Sequence, residues 1–195
     1  MEIVDLVACA PMEYVDSLFQ NFINIFAETT NLSASRIAAL DGALRYVIRK
    51  PNLRFEFVSN LLKTSKEDDR DLIRSAAKII GTVYANWPAA ELLDKLVELA
   101  EHVEVQDQVA FEIGACKIQL ALSTADPLVV QRELHDSKYW FEQSLSADTD
   151  RHDSAIYLTS VACLLDFHRG NSIDTQVVSN NIKKQAAFLL SLIHI

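Results

Sequence analysis

The chain has 195 residues, a formal net charge of -9 and 50% hydrophobic residues, with only 4 Gly and 4 Pro. A chain of this length usually carries about 14 Gly and about 10 Pro, and hairpins, β-bulges and phosphate-binding loops depend on the turns that glycine supplies. The composition therefore argues against an all-β fold, a collagen-like chain and a glycine-rich nucleotide-binding fold. Because half of the residues are apolar, disorder is also disfavoured, and we expect a mainly helical protein.

The acidic balance of the chain bears on its partners and its compartment. Nucleic acids and anionic membranes attract basic surfaces, so we expect neither as a partner. The sequence contains no apolar stretch near the roughly 18 uncharged residues of a membrane span, and Glu2 and Asp5 stand where a secretory signal is basic. Cys9, Cys116 and Cys163 are odd in number and widely spaced, which is typical of thiols in a reducing compartment. We predict a cytoplasmic protein.

The first third of the chain shows three segments with the apolar spacing of a helix. The first covers residues 11–28 and opens on a proline. Ser33 or Ser35 begins the second, and Pro51 ends it. The third, over residues 55–62, starts with two phenylalanines around a glutamate, an alternation that also suits a strand. No second strand signal lies nearby, so we predict a helix.

Two more helical segments follow in the middle of the chain. Ser65 precedes Asp68 by three residues in an acidic run, which is typical of a helix start with a capping box. The fourth helix is predicted from there to Asn86. The Trp-Pro pair at Pro88 separates it from the fifth, which ends near Ala100.

The last part of the chain predicts four further helices. The sixth, over residues 107–123, carries two apolar stripes, which indicates a helix packed between two neighbours. Its stripes contain Val109, Ile113, Cys116 and Leu120 on one side and Phe111, Ala115, Ile118 and Leu122 on the other. Pro127 opens the seventh, Gly170 stops the eighth and Ser172 caps the ninth.

The predicted helices pair into hairpins that start near residues 11, 51, 88, 127 and 172. This spacing of about 40 residues falls within the range of helical repeats. Short connections favour antiparallel neighbours, so we predict an all-α fold in which antiparallel helical hairpins stack as an α-solenoid. The uneven repeat lengths leave an irregular helical bundle as the alternative. The hairpins are predicted to form one helical-repeat domain over residues 1–189.

One segment resembles a tetratricopeptide repeat. Ile80, Gly81, Tyr84 and Ala100 stand at the offsets where that family has a large apolar residue, a glycine, an aromatic residue and a small residue. The sequence departs from the family at Ala77, Leu93 and Val105, where the family prefers Trp, Ala and Pro respectively.

A second trace of the same repeat lies in residues 139–145. Phe141 and Ser144 stand at the aromatic and small positions of a repeat's second helix, and Gly114 follows Gly81 by about one repeat length. The resemblance implies a concave groove lined by the first helices of the hairpins, with Lys78 and Thr82 near it. It also implies a peptide or protein as the partner in that groove.

The sequence shows no pattern typical of catalysis. Its histidines, His102, His135, His152, His168 and His194, lack metal-binding spacing with each other or with cysteines, and no nucleophile motif is present. Glu112 lies on the two-sided sixth helix and is predicted to be partly buried, without a partner that would make it an acid or base. We therefore predict no catalytic residue, no metal site and no cofactor.

The six residues 190–195, Leu-Ser-Leu-Ile-His-Ile, are similar to a translated sequencing-adapter sequence. We treat them as a non-native tail, with the helical domain truncated before it. The predicted function is a protein–protein interaction module that forms the N-terminal part of a larger microbial protein. The alternative is a helical regulatory domain of an enzyme, an NTPase, nuclease or kinase, whose catalytic part follows. A stand-alone helical enzyme is a third hypothesis.

Overall fold

The computed structural model describes residues 14–65 and 68–168, and within these ranges the chain is helical and contains no strand. The all-α class is thus confirmed there. Its α-helices are α1 (Val15–Ala27), α2 (Ser33–Arg49), α3 (Arg54–Leu61), α4 (Arg70–Asn86), α5 (Ala90–Leu99), α6 (Gln106–Ser123), α7 (Pro127–Ala147) and α8 (His152–His168). Short 3-10 turns at Pro51–Leu53 and Val103–Val105 precede α3 and α6. The predicted ninth helix and the 190–195 tail lie outside the described residues.

The chain forms two compact units, Met1–Val105 and Gln106–Ile195. Helices α1 to α5 belong to the first unit and α6 to α8 to the second. The prediction of one domain over residues 1–189, and that of a stacked solenoid, remain predictions. We describe the units separately.

Helices α1 and α2 of the first unit form an antiparallel hairpin. Contacts between them run in opposite order along the two helices: Arg36 donates from Nε to the carbonyl of Phe26 at 2.9 Å, and Lys50 Nζ lies 2.6 Å from Asp16 Oδ2. Buried apolar side chains from all five helices form the core of this unit. They include Phe19, Leu40, Tyr46, Phe57, Leu61, Leu72, Ile73, Ile80, Leu92, Leu96 and Leu99.

The start of α4 differs from its prediction. The helix begins at Arg70, and Asp69 is its N-cap, accepting a hydrogen bond from the Asp71 amide at 2.9 Å. The contact expected of the capping box exists, because the Ser65 amide donates to Asp68 Oδ2 at 2.8 Å. This Ser65–Asp68 contact stabilises the connection before the helix. The helix itself is capped by Asp69, whose backbone is extended as is usual for an N-cap residue.

A buried arginine ties this connection to the α1–α2 hairpin. The side chain of Arg36 is 9% exposed, and its Nη1 donates to Asp68 Oδ1 at 2.8 Å while its Nε holds the Phe26 carbonyl. The guanidinium also lies 5.5 Å from the centre of the Phe26 ring. One side chain thus joins the end of α1, the first turn of α2 and the segment before α4.

The third segment is helical, as predicted, and its two phenylalanines have opposite environments. Phe57 is fully buried, whereas Phe55 is 75% exposed. The guanidinium of Arg54 lies 4.9 Å from the centre of the Phe55 ring and 5.4 Å from that of Trp87. These cation–π contacts hold the first turn of α3 beside the end of α4.

The second unit contains two antiparallel helix pairs, α6 with α7 and α7 with α8. Ser137 Oγ donates to the Gly114 carbonyl at 2.8 Å, and Ser144 Oγ donates to the Asp107 carbonyl at 2.6 Å, so the contacts run in opposite order along α6 and α7. Ser144 and Ser154 then share a buried hydrogen bond of 2.7 Å between α7 and α8. These buried hydroxyls satisfy one another and the backbone, which fixes the helix register.

Helix α6 has two apolar sides, as predicted. Val109, Ile113 and Cys116 are buried on one side. Phe111, Ala115 and Ile118 pack on the other, against a cluster formed with α7 and α8. The prediction was wrong at Leu122, which is 71% exposed because it lies in the last turn, where the chain leaves the helix to begin α7.

Candidate functional site

The first unit contains a cavity of about 630 Å³ between α2 and α4. The ring of Phe22 from α1 closes one part of it, and apolar side chains such as Ile37, Leu44 and Ile79 form most of its surface. We call this cavity the α2–α4 groove. It carries a few polar groups on apolar walls, which is the usual composition of a ligand-binding pocket.

Small residues line the α2 side of the groove. Ala34, Ala38 and Gly42 follow one another at intervals of four, so they lie on one face of the helix. Ala34 and Ala38 are exposed. Gly42 is buried under Phe22, and a Cβ added at this glycine would lie 2.9 Å from the ring atom Cε1. The Phe22 ring would therefore have to shift to make room for any larger residue at this position.

Both residues predicted for binding lie on the α4 side. Lys78 and Thr82 are exposed and line the groove together with Ser75 and Ile79. Thr82 Oγ1 donates to the carbonyl of Lys78 at 3.0 Å, so its proton is engaged while its oxygen can still accept. The structure brings the two predicted residues together in one cavity. Whether they bind a partner stays a prediction.

Sequence reasoning missed the charged pair on the opposite wall. Arg45 donates from Nε and Nη2 to Asp41 Oδ2, both at 3.3 Å, and both side chains are about half exposed. Such a surface pair contributes little to stability, but it neutralises both charges locally. The run of small residues at intervals of four was visible in the sequence. Its position opposite Lys78 was not, because α2 and α4 are separated by α3 along the chain.

The residues that carry the tetratricopeptide resemblance lie on helical, mostly buried positions. Ile80, Gly81 and Tyr84 are buried in α4, and Ala100 follows the end of α5. Phe141 covers Gly114 in the second unit, so the aromatic partner that the sequence around Gly114 lacks comes from the next helix. Buried glycines at helix contacts occur in many helical folds, so the resemblance stays a prediction.

The second unit also contains a smaller cavity. Its volume is about 240 Å³, and its lining is mostly apolar, with Leu122, Val130, Leu134 and Leu164 among the wall residues. It lies near the end of α8, beyond which the chain is not described. We assign it no occupant.

An ionic cluster joins α6 and α7 in the second unit. Lys117 Nζ lies 2.8 Å from Glu133 Oε2 and 3.2 Å from Asp136 Oδ2, while Arg132 Nη2 donates to Glu133 Oε1 at 2.6 Å. Burial by itself would raise the pKa of Glu133, but the hydrogen bonds and charges of Lys117 and Arg132 outweigh it, and the pKa is lowered. Burial would lower the pKa of Lys117, yet its two carboxylate partners raise it. Each partner keeps the other ionised, which indicates a structural role.

Replacing Glu133 with glutamine should therefore change how stability depends on pH. A carboxyl with a lowered folded pKa stabilises the fold above its unfolded pKa, about 4.3, and that contribution is lost as the pH falls through the folded value. We expect Glu133→Gln to cost about 1.5–3 kcal/mol at neutral pH, with the difference from the wild type shrinking in acid. Urea unfolding followed by the fluorescence of Trp140 at several pH values measures this.

Glu142→Gln is the matched control, because Glu142 is exposed and forms a surface pair with Lys138 at 3.1 Å. This variant should parallel the wild type at every pH. A difference between wild type and Glu133→Gln that stays constant down to about pH 2 would contradict a lowered pKa at Glu133.

The other groups singled out from the sequence are placed in the core or at helix ends. Glu112 is buried, as predicted, and accepts a hydrogen bond from Gln108 Nε2 at 2.6 Å. Cys116 is buried beside it, and burial, followed by the charge of Glu112, raises the pKa of the thiol to about 12. A thiol of this kind is not a nucleophile at neutral pH. Cys163 is half-buried, and Cys9 lies outside the described residues.

Two further features are absent from the described residues, a metal-binding cluster and a membrane-spanning helix. No group of three or more His, Cys, Asp and Glu side chains in residues 14–65 and 68–168 could hold a metal ion. None of the helices in these ranges is long and apolar enough to cross a membrane. Compared with protein-family models, with curated proteins and with solved structures, the chain matches none.

Proposed function

We propose that the protein is an interaction module that binds a peptide or protein partner in the α2–α4 groove and catalyses no reaction. The observation that carries the proposal is the groove itself: about 630 Å³ of space with apolar walls, into which Lys78 and Thr82 both face from α4. Apolar walls favour binding through the burial of apolar surface, and the few polar groups orient the partner.

The arrangement of helices in the first unit supports the finer part of the proposal, a helical-repeat groove. α2 contacts both α1 and α4, and α4 in turn contacts α5. The α1–α2 pair is antiparallel, and antiparallel hairpins that pack against one another are the unit from which an α-solenoid is built. The cytoplasmic location expected from the thiols and the acidic balance belongs to the same proposal.

The test is a selection of peptide ligands on the full chain. Peptides of about 16 residues, enough to span the groove, are selected from a displayed random library, and their affinities are measured by fluorescence anisotropy. We expect Ala38→Leu to weaken binding more than about tenfold, because the larger side chain fills the groove. We expect Lys78→Glu to weaken binding about tenfold for peptides that carry a carboxylate.

Two matched controls separate the groove from general effects. Ala90→Leu enlarges an exposed alanine of α5, and Lys63→Glu reverses an exposed lysine outside the groove. Both variants should bind the selected peptides as the wild type does. If Ala38→Leu and Ala90→Leu bind equally well, the groove is not the binding site and the proposal fails.

A further inference from the structure

We infer that the occupant of the α2–α4 groove is a single amphipathic α-helix of a partner protein. Its small and apolar face lies on α2, and one of its carboxylates pairs with Lys78. This inference rests on the proposed function and specifies the chemistry of the partner. Three features of the groove lead to it: the hydrogen-bonding capacity of its walls, the size of the residues on α2 and the charge on α4.

The walls offer no backbone hydrogen bonds to a peptide, and few from side chains. Both are α-helices, whose backbone N–H and C=O groups bond within the helix. Among the described lining residues the polar side chains are Asp41, Arg45, Ser75, Lys78 and Thr82, and of these Asp41 and Arg45 pair with each other while the Thr82 hydroxyl proton is engaged. These few groups cannot pair with the N–H and C=O of every residue of an extended peptide, which would therefore lose most of its bonds to water without replacement. A helix satisfies its own backbone, so it enters such a groove without that cost.

The open part of the α2 wall carries only small side chains. Ala34 and Ala38 lie about 6 Å apart along α2, just over one helical turn, so a helix that packs there meets only methyl groups. Helix axes usually lie about 8–10 Å apart, and small side chains let them approach to the lower end of this range. Dispersion contacts between the two helices are most numerous at this short separation. Because Ala34 and Ala38 are exposed, this surface is open to a partner.

The charge of the groove favours an acidic residue on the entering helix. Arg45 is neutralised by Asp41 across 3.3 Å, whereas Lys78 forms no ion pair or hydrogen bond through its ammonium group with any of the described side chains. Among the described residues, the lining thus carries one positive charge without an ion-pair partner, at Lys78 beside an apolar wall. A carboxylate placed there by the partner pairs with it and sets the register of the helix.

The experiment uses the peptides selected on the full chain. A proline placed at the centre of a selected peptide should weaken binding about 100-fold, because proline breaks a helix interior. Proline at the first position is the control, since the first turn of a helix tolerates it, and it should change the affinity less than about twofold. Circular dichroism should show the peptide gaining helix on binding.

The ion pair is tested by a double-mutant cycle. Changing the peptide's glutamate to glutamine and Lys78 to glutamine should each weaken binding, and the double change should cost less than the sum of the two. Lys63→Gln is the control on the protein side and should show no coupling with the same glutamate.

The outcomes distinguish the inference from the function on which it rests. If central proline is tolerated while Ala38→Leu still blocks binding, the groove holds an extended peptide: the inference is overturned and the function stands. If Ala38→Leu blocks nothing, both are overturned. If sedimentation shows a dimer that Ala38→Leu dissociates, the occupant is a second copy of this chain and the inference is wrong. If the effects of changing Lys78 and the peptide's glutamate are additive in the double-mutant cycle, the inference that a carboxylate of the partner pairs with Lys78 is overturned.

Discussion

Replacing Arg36 with alanine is expected to lower the free energy of unfolding of the first unit by about 3 kcal/mol. The change leaves the carbonyl of Phe26 and the carboxylate of Asp68 without the donors that now lie at 2.9 and 2.8 Å. Asp68 is only 14% exposed at its side chain, so water compensates poorly for the lost charge. The connection before α4 should loosen at the same time.

Two further variants identify the cause of the loss. Arg36→Lys keeps the charge but not the fork of donors, so it should recover only part of the stability. Asp68→Ala combined with Arg36→Ala should cost less than the sum of the single changes, because no unpaired carboxylate remains. The measurement is urea unfolding followed by Trp87 in a Trp140→Phe background, so that the fluorescent reporter lies in the first unit.

The control is Arg45→Ala, which removes another arginine of α2 that pairs with an aspartate. Its side chain is 43% exposed and its partner Asp41 is 50% exposed, so we expect a loss of only about 0.5 kcal/mol. If Arg36→Ala and Arg45→Ala lower the free energy of unfolding equally, the buried Arg36–Asp68 pair contributes no more to stability than the exposed Arg45–Asp41 pair.

The second large effect concerns the two glycines that lie under phenylalanine rings, and it is expected at Gly114 but not at Gly42. A Cβ at Gly114 would lie 2.9 Å from two atoms of the Phe141 ring, and a Cβ at Gly42 would meet Phe22 at the same distance. These distances are well below the roughly 3.5–4.0 Å of an ordinary carbon contact, so the ring must move in either variant. The two variants differ in whether the ring has room to move.

Gly114→Ala should destabilise the second unit by about 1–2 kcal/mol. Phe141 is fully buried, and its ring lies 5.7 Å from Phe111 and 5.3 Å from Tyr157, so it has no space to retreat. Because the ring cannot retreat, we expect an overpacking cost near the upper end of the usual range, about 2–3 kcal/mol, which exceeds the roughly 1 kcal/mol that alanine gains over glycine in a helix. Urea unfolding followed by Trp140 in a Trp87→Phe background measures this loss.

Gly42→Ala should change stability by less than about 0.5 kcal/mol in either direction. Phe22 is half-buried and borders the α2–α4 groove, so its ring can shift into that space. The helix propensity gained by alanine then offsets the remaining strain. The shift of the Phe22 ring should also narrow the groove and weaken the binding of the selected peptides. A loss at Gly42 as large as that at Gly114 would contradict this explanation.

Most of the helices could be predicted from the sequence, because their signals are local. Apolar spacing places the helices within a few residues, and Pro51, Pro127 and the Trp-Pro pair before residue 89 mark the breaks that the structure shows. The start of α4 was the exception. Two capping residues compete there, and Asp68 is drawn to Arg36, whose position depends on the α1–α2 hairpin.

The candidate site could be predicted only in part. The exposed positions Lys78 and Thr82 were singled out by resemblance, and they line the groove. The opposite wall was not predicted, because nothing local in Ala34, Ala38 or Gly42 says which helix they face. The exposure of Leu122 was missed for a related reason: apolar spacing assigns a face to a residue but does not say where the neighbouring helix ends.

By itself the sequence determined the helical class, since few glycines and prolines, helical apolar spacing and local caps act within a turn or two of each residue. The scarcity of glycine and proline thus explains the absence of strands in the described part of the chain. Only the tertiary structure decided which helices meet and that Gly42 and Gly114 each lie under a ring. It also decided that a groove opens between α2 and α4, lined by Lys78, which has no ion-pair partner among the described residues. These features depend on side chains far apart in sequence, whose contacts arise from packing and not from local preference.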